Sequence, residues 1–214
     1  MRKNSKHQIA TILFADIVGY TALMQDNEQL AMTKLQEFKT QLETNVPNYE
    51  GKIIQFYGDG CLVIFTNPIL AVQCAKNIQA VFIEHLHIPV RMGMHYGNVL
   101  SNEDNIYGHA VNIASRVESM GIAGSILLTK HLRDQIKTEP SLQLSTLGDF
   151  EFKNVKEVLS IYALANEGFP VPQREEISGK LKTIAQKNSP FRFLYWLIPS
   201  LIAAVLDSCC DVNC

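Results

Sequence analysis

Hydrophobic residues recur along the chain with two different spacings, and these spacings predict alternating strands and helices. The short apolar run at residues 9–15 is typical of a strand buried on both faces. Over residues 21–46 the apolar positions recur mainly at three- and four-residue steps, which predicts one long helix that ends before Pro47. Residues 51–65 then predict two strands joined by a tight turn at residues 58–60.

The second half of the chain continues this interleaving. Asn67 and Pro68 predict the N-cap and first residue of a helix. Residues 90–95 predict a strand, followed by a turn at 96–98 and a short return strand, and a further helix is predicted to begin near Gly108. The remaining predicted elements are a strand at 125–129, a short helix at 130–137 and two strands within 147–164. Together these elements predict an α+β domain with an antiparallel or mixed sheet covered by helices on one face.

Asp16 lies where the first predicted strand ends, and Gly19 permits a tight turn before the next helix. The free backbone N–H groups of a helix N-terminus would point into that turn, beside the carboxylate. One interpretation is a metal held by Asp16 with phosphates received by those amides. The other is an aspartate that caps the following helix. Asp59, at the turn of the predicted hairpin, is a second aspartate that either serves backbone geometry or joins the first.

Composition and charge narrow the range of functions. The chain has 214 residues, of which 47% are hydrophobic and 19% charged, so it can bury an ordinary globular core. A formal net charge of -2, without a basic and aromatic-rich pair of strands, argues against nucleic-acid binding. Basic residues precede the first apolar run as in a secretory signal, but Asp16 interrupts that run. Because Cys61 and Cys74 form no disulfide pattern, we expect a cytoplasmic protein.

The C-terminal part differs in composition from the rest. Residues 167–190 are polar with proline and glycine and predict a linker, and residues 191–214 form an apolar tail. The apolar core of that tail is shorter than a membrane-spanning helix requires, and Pro199 interrupts it. Contact with a membrane and packing on a dimer are both left open for this segment.

Four motifs of this chain resemble the catalytic domain of class III nucleotidyl cyclases, the adenylate and guanylate cyclase family. In order along the chain they are FADIVGYT, YGDG, RMGMHYG and YGHAVNIASR. The resemblance covers residues 8–166. It implies a ferredoxin-like fold, conversion of a nucleoside triphosphate to a cyclic nucleotide, and a head-to-tail homodimer with active sites shared between the subunits.

The resemblance also implies roles for individual residues. Asp16 and Asp59 match the two aspartates that hold two divalent cations, Mn²⁺ or Mg²⁺, and the carbonyl of Ile17 matches a further metal ligand. Asn112 matches the residue that orients the ribose, and Arg116 the arginine that stabilises the transition state. The matching substrate-binding residues are Val18, Gly19, Tyr20 and Thr21 in the first turn and Lys153 for the triphosphate, with Lys156 as the alternative.

The chain departs from the family at the two positions that read the base. Adenylate cyclases have Lys and Asp there, and guanylate cyclases commonly have Glu and Cys, whereas this chain has Gln55 and Asn105. A neutral amide both donates and accepts, so this pair selects neither purine. This feature, with no recognisable sensor domain in the sequence, resembles bacterial pyrimidine cyclases of anti-phage signalling. UTP or CTP is therefore favoured, and adenylate cyclase and an inactive cyclase-like binding module are the alternatives.

Overall fold

The computed structural model describes residues 6–102, 105–177 and 181. The first half of the fold comprises β1 (Lys6–Ile17), α1 (Tyr20–Asp26), α2 (Glu28–Asn45), β2 (Gly51–Tyr57), β3 (Gly60–Phe65), α3 (Pro68–Val81) and β4 (Val90–Ser101). The second half comprises β5 (Ile106–Tyr107), α4 (His109–Ser119), β6 (Ile126–Thr129), α5 (Lys130–Ile136), β7 (Leu144–Glu151) and β8 (Val158–Leu164). A 3₁₀ turn at Val46–Tyr49 follows α2, and a π turn at Phe82–Leu86 follows α3.

The described strands form an eight-stranded sheet in the order β2-β3-β1-β4-β6-β8-β7, and β5 pairs with the far end of β4. The pairing of β4 with β6 is parallel, and the other pairings are antiparallel. The first four strands and their helices follow the βαββαβ order of a ferredoxin-like core, in which β1 lies between β3 and β4. The predicted α+β class and ferredoxin-like arrangement are confirmed.

Helices lie on both faces of the sheet. Alternate residues of β1 divide between the faces, since Leu13 joins the core under α2, α3 and α5 whereas Ile12 joins the core under α4. The prediction that helices cover one face is therefore wrong, because α4 forms a second layer on the opposite face. Gly93 permits this layer, because a Cβ atom there would lie 2.0 Å from the backbone nitrogen of Glu118. Helix α4 thus packs directly on β4.

The long helix predicted over residues 21–46 is wrong, because the chain breaks at Asn27. This residue has φ -153°, and its side chain accepts a hydrogen bond from the Leu30 amide at 3.0 Å, so it caps a new helix. Glu28 supplies a negative charge in the first turn of α2, where it interacts favourably with the positive end of the helix dipole. The apolar periodicity continues across the break, which is why it did not reveal two helices.

The turn predicted at residues 96–98 is also wrong, because β4 runs without interruption through this segment. Gly97 is needed for close packing, since a Cβ atom there would lie 3.0 Å from the Cβ of Ala110 in α4. The return strand predicted through Val99 and Leu100 is wrong too, because both residues belong to β4, and the strand that returns along β4 is β5, whose Ile106 pairs with Ser101. Gly97 therefore allows α4 to pack closely on β4 and does not form a turn.

Several local predictions are confirmed. Asn67 caps α3 by accepting hydrogen bonds from the Ile69 and Leu70 amides at 2.9 and 3.3 Å. The hairpin of β2 and β3 turns at Gly58, which has φ 59°, and α4 begins at His109, immediately after Gly108. Cys61 and Cys74 are buried free thiols.

The predicted linker begins on the surface of the domain. Phe169 packs against the core beneath α2 and α3, and Val171 and Ile177 pack against the core between α4 and the last strands. The remainder of the linker, apart from Leu181, and the whole apolar tail lie outside the described residues. Among the described residues, none of the helices has the length and apolarity needed to cross a bilayer.

We expect His95 to make the stability of the fold depend on pH. His95 is 4% exposed, and its Nδ1 lies 2.8 Å from Thr129 Oγ1. Burial lowers the pKa of His95 to about 3, with further lowering by His131 and His109. Neutral His95 therefore contributes stability above pH ~6.5, and this contribution is lost as the pH falls toward about 3, because the unfolded chain takes up a proton first.

The His95→Gln variant should lack this contribution, so its stability deficit relative to wild type should shrink as the pH falls from neutral to about 4.5. Urea unfolding at several pH values measures the deficit. The exposed His7→Gln is the matched control, and its difference from wild type should stay small throughout. A His95→Gln deficit that is independent of pH would contradict the prediction.

Candidate active site

Asp16 lies close to the hairpin that carries Asp59. In the sheet Asp16 is opposite Gly60 on one side and Arg91 on the other. The Ile17 amide donates a hydrogen bond to the Asp59 carbonyl at 3.2 Å, which ties the end of β1 to the hairpin turn. Gly58, with φ 59°, adopts the left-handed conformation that this turn requires. The two aspartates that are far apart in sequence are therefore neighbours.

The segment after Asp16 is a turn followed by a short helix. Gly19 has φ 77° and precedes α1, and no side chain caps this helix, so the interpretation of Asp16 as a helix cap is wrong. The Val18 amide donates to the Pro89 carbonyl at 2.7 Å, and its hydrogen is thus already engaged. The amides of Tyr20 and Thr21 are in the first turn, where helix geometry provides no intrahelical acceptor.

An arginine that the sequence analysis did not select lies beside Asp16. Arg91 Nη2 donates to Asp16 Oδ2 at 2.8 Å, and Arg91 Nε donates to Glu118 Oε1 at 2.5 Å. Burial raises the pKa of Asp16 above its ordinary value, while Arg91 lowers it and the charge of Asp59 raises it. Arg91 lies 75 residues from Asp16 in the chain, so no local spacing indicates the pair.

The residues at this end of the sheet fit a divalent cation. Two carboxylates and the nearby Ile17 backbone are hard oxygen donors of the kind that Mg²⁺ and Mn²⁺ prefer. The charge of Asp59 acts on Asp16, as expected for carboxylates that share one site. In the described part of the chain, no group of three or more His, Cys, Asp and Glu residues could hold a metal ion, so the fit rests on these two aspartates and backbone oxygens.

Helix α4 turns Asn112 and Arg116 away from the sheet. Its buried side includes Ile113 and Val117, whereas Asn112 is exposed and Arg116 is partly exposed. Because the two residues are four positions apart, they share one side of the helix. Arg116 Nε is buried without a hydrogen-bond partner among the described residues. The structure therefore places these two side chains on one side of the helix, and Arg116 Nε lacks a hydrogen-bond partner within the described part of the protomer.

Gln55 lies in β2, and Asn105 lies immediately before β5. Gln55 lies opposite Leu62, which lies opposite Phe14 of β1. Asn105 precedes β5, which pairs with the end of β4 that lies opposite Lys6 at the other end of β1. Ile54 and Ile106, which adjoin these two residues in the chain, nevertheless pack in one apolar cluster and line one cavity of about 340 Å³. The two amides therefore lie next to residues of a common cavity in one protomer.

The two lysines considered for the triphosphate lie in the turn between β7 and β8, and both are exposed. Lys156 lines a cavity of about 380 Å³ with His109, Asn154 and Glu157. His109 is the first residue of α4, and its Nε2 lies 3.7 Å from Glu157 Oε1. Lys156 thus adjoins the start of the helix that carries Asn112, whereas Lys153 is not among the residues that line this cavity.

The sequence matches a known catalytic domain across most of the described fold. Residues 2–166 match the family described as the adenylate and guanylate cyclase catalytic domain. The chain belongs to this cyclase family. The cyclase is 27% identical over 169 residues to a putative adenylate cyclase 3 of Rhizobium meliloti, and the match covers 75% of this chain and 29% of that protein. The cyclase thus matches about three tenths of that relative's length.

Solved structures support the same assignment. The cyclase superimposes on an adenylate/guanylate cyclase/hydrolase from Silicibacter pomeroyi with a TM-score of 0.71 and 26% identity, covering 77% of this chain and all of that one. It also superimposes on the adenylyl cyclase CyaB from P. aeruginosa with a TM-score of 0.68 and 23% identity, covering 82% of this chain and all of that one. The second likeness is one of fold. This chain is therefore a catalytic domain of the adenylate and guanylate cyclase type.

Proposed function

We propose that this cyclase converts a nucleoside triphosphate to a 3′,5′-cyclic nucleotide monophosphate and pyrophosphate. The observation that carries the proposal is that Asp16, at the end of the central strand β1, lies beside the hairpin turn that carries Asp59. In this reaction the 3′ oxygen forms a bond to the α-phosphorus, and the bond from that phosphorus to the bridging oxygen of pyrophosphate breaks. The proton of the 3′-hydroxyl leaves to solvent.

The proposed metal ligands are Asp16, Asp59 and the Ile17 carbonyl. Two Mg²⁺ or Mn²⁺ ions bound there would acidify the 3′-hydroxyl and neutralise charge on the phosphates. The first-turn amides at Gly19, Tyr20 and Thr21 lie beside this site, where they would receive phosphate oxygens. Val18 would act by holding the turn in place, because its amide already donates a hydrogen bond to the Pro89 carbonyl.

Asn112 and Arg116 are proposed to serve the active site of a second protomer. They share one side of α4 and point away from the sheet, and Arg116 has an unpartnered buried nitrogen. Arginine suits this task because its fixed fork of donors matches phosphate oxygens and its charge is permanent. Lys153 or Lys156 would bind the triphosphate from the same protomer as Asn112. The working unit on this proposal is a homodimer with shared sites.

The base is proposed to be a pyrimidine, UTP or CTP, read by Gln55 and Asn105. Neutral amides match neither purine edge uniquely, and the neighbours of both residues line one cavity, which supports a common base site. ATP is the alternative substrate, and it is favoured by the adenylate cyclase named among the relatives. A cytoplasmic role in anti-phage signalling accompanies the pyrimidine proposal.

The metal assignment is tested by removing one carboxylate at a time. Asp16→Asn and Asp59→Asn should each lower turnover at least about a hundredfold, because an amide is a much weaker ligand for a hard cation. Folding should persist, since an asparagine oxygen can still accept the hydrogen bond from Arg91. The assay incubates each protein with all four ribonucleoside triphosphates and Mn²⁺ and identifies the products by mass.

Asp26→Asn, an exposed substitution of the same kind at the end of α1, is the matched control and should keep wild-type turnover. A folded Asp16→Asn or Asp59→Asn protein that retains a tenth of the activity would remove the two-metal assignment. A wild-type protein that binds but does not cyclise any of the four triphosphates would support the inactive binding module.

The shared site is tested by mixing two inactive variants. Asp16→Ala and Arg116→Ala should each be inactive alone, whereas their heterodimer should have one site with every group intact. Activity should therefore recover toward about a quarter of wild type after random subunit exchange, since half of the dimers are mixed and each has one of two sites. Exchange is followed with differently tagged chains. Complete exchange without recovery would indicate sites within one chain.

The recognition of the base is tested by replacing Gln55 and Asn105 with charged residues. Gln55→Lys with Asn105→Asp supplies a donor for a ring nitrogen and an acceptor for an amino group, each worth ~1–3 kcal/mol in a desolvated pocket. Preference should therefore move toward ATP, most strongly if the parent prefers UTP, whose N3–H would face the ammonium. Relative turnover of the four triphosphates measures the shift. The same ranking in parent and variant would show that these positions do not read the base.

A further inference from the structure

Asn102 holds the backbone of Asn105 at both of its polar groups. The Asn105 amide donates a hydrogen bond to Asn102 Oδ1 at 2.8 Å, and the Asn102 amide donates to the Asn105 carbonyl at 2.9 Å. These bonds lie directly beyond the pairing of β4 with β5, in which Ser101 is opposite Ile106. The position of the Asn105 backbone, and with it the direction of its side chain, therefore depends on Asn102.

The side chain of Asn102 supplies one of the two bonds that tie it to Asn105. Residues opposite each other in a hydrogen-bonded antiparallel pair ordinarily exchange two bonds between backbone groups. Here one bond is of that kind, and the Asn105 amide makes the second with a side-chain oxygen. A substitution of Asn102 can therefore remove the second bond while the first, which joins backbone groups, remains.

Asn102 also borders the cavity next to the two residues proposed to read the base. This cavity of about 340 Å³ is lined by Asn102 and Ile106 at the end of β4 and by Ile54 in β2. Asn105 directly precedes Ile106, and Gln55 directly follows Ile54. At this place Asn102 could contact the base or position Asn105. Its hydrogen bonds favour positioning, because Oδ1 is engaged by the Asn105 amide.

We propose that Asn102 is a positioning residue, which fixes the Asn105 side chain in the direction needed to recognise the base. Asn102 thereby sets how strongly Asn105 discriminates between bases, and it does so without touching the substrate. This inference rests on the proposed function, in which Gln55 and Asn105 read the base.

Equilibrium binding of the four 3′-deoxyribonucleoside triphosphates to the full chain, with Mn²⁺ present, tests the inference. These compounds lack the 3′-hydroxyl and cannot be cyclised, so recognition of the base is measured apart from turnover. The quantity of interest is the ratio of dissociation constants between the best-bound base and the other three. Asn102→Ala should lower this ratio about fivefold, the factor expected for one hydrogen bond, because the Asn105 backbone gains freedom.

Two control variants separate this role from a general effect on the fold. Asn102→Asp keeps an oxygen that accepts from the Asn105 amide, and it should keep the wild-type ratio. Asn166→Ala removes a side-chain oxygen that accepts from the Gln143 amide at 3.1 Å, and it should also leave the ratio unchanged. Circular dichroism verifies folding. Asn102→Gly, which equally lacks the acceptor, replaces Asn102→Ala if the latter does not fold.

A comparison of single and double variants decides whether Asn102 acts through Asn105. When Asn105→Ala is already present, adding Asn102→Ala should not change the ratio further, because the side chain that it positions is absent. An equal effect of Asn102→Ala with and without Asn105 would show that Asn102 contacts the base itself. The positioning role would then be wrong.

The outcomes separate this inference from the proposed function. If Asn105→Ala loses discrimination while Asn102→Ala keeps it, the positioning role is wrong and the recognition of the base by Asn105 stands. If wild type binds all four bases alike or none of them, or if Asn105→Ala keeps the wild-type ratio, recognition by Asn105 fails and the positioning role fails with it. Discrimination that Asn102→Ala lowers only when Asn105 is present, and that Asn102→Asp retains, supports the inference.

Discussion

The pairings of β1 with β4 and with β3 position the charged groups that surround Asp16. Strands β1 and β4 are paired along all of β1, from Lys6 opposite Ser101 to Ile17 opposite Val90. This register places Asp16 opposite Arg91 on the face covered by α4, and the pairing with β3 brings the Asp59 hairpin to the other side. A slip of one residue would turn Asp16 into the core beneath the other helices. Burial of alternate apolar residues on both faces opposes such a slip.

Features of the fold that depend on local chemistry were predictable from the sequence. Asn67 followed by Pro68 begins α3, and the glycines around Asp59 make the hairpin turn, because caps and turns are decided by a few neighbouring residues. Asn27 was missed although it is also an N-cap, since the apolar spacing continued across it. Gly97 misled for the opposite reason, because its role is contact with α4 and not a turn.

The candidate site was predictable only where a residue carries its own motif. Asp16, Asp59, Asn112 and Arg116 stand in recognisable segments of the cyclase family, and the structure brings the two aspartates together. Arg91 also stands in one of the quoted motifs, RMGMHYG, but its pairing with Asp16 and Glu118 was not predictable, because it arises from strand register and from a glycine that lets α4 approach the sheet. The apolar tail at residues 191–214 lies outside the described residues, so its two interpretations remain predictions.

The two arginines near α4 differ in how far their own chain satisfies them. Arg91 lies in β4, on the sheet face covered by α4, and has two carboxylate partners in its own chain, which offsets the cost of enclosing Asp16. Arg116 lies two residues from Glu118, nearly on the opposite side of the helix, and its Nε has no partner among the described residues. One arginine is satisfied within the fold and the other is directed outward. On the proposed function, the unsatisfied arginine is the group that the neighbouring subunit requires.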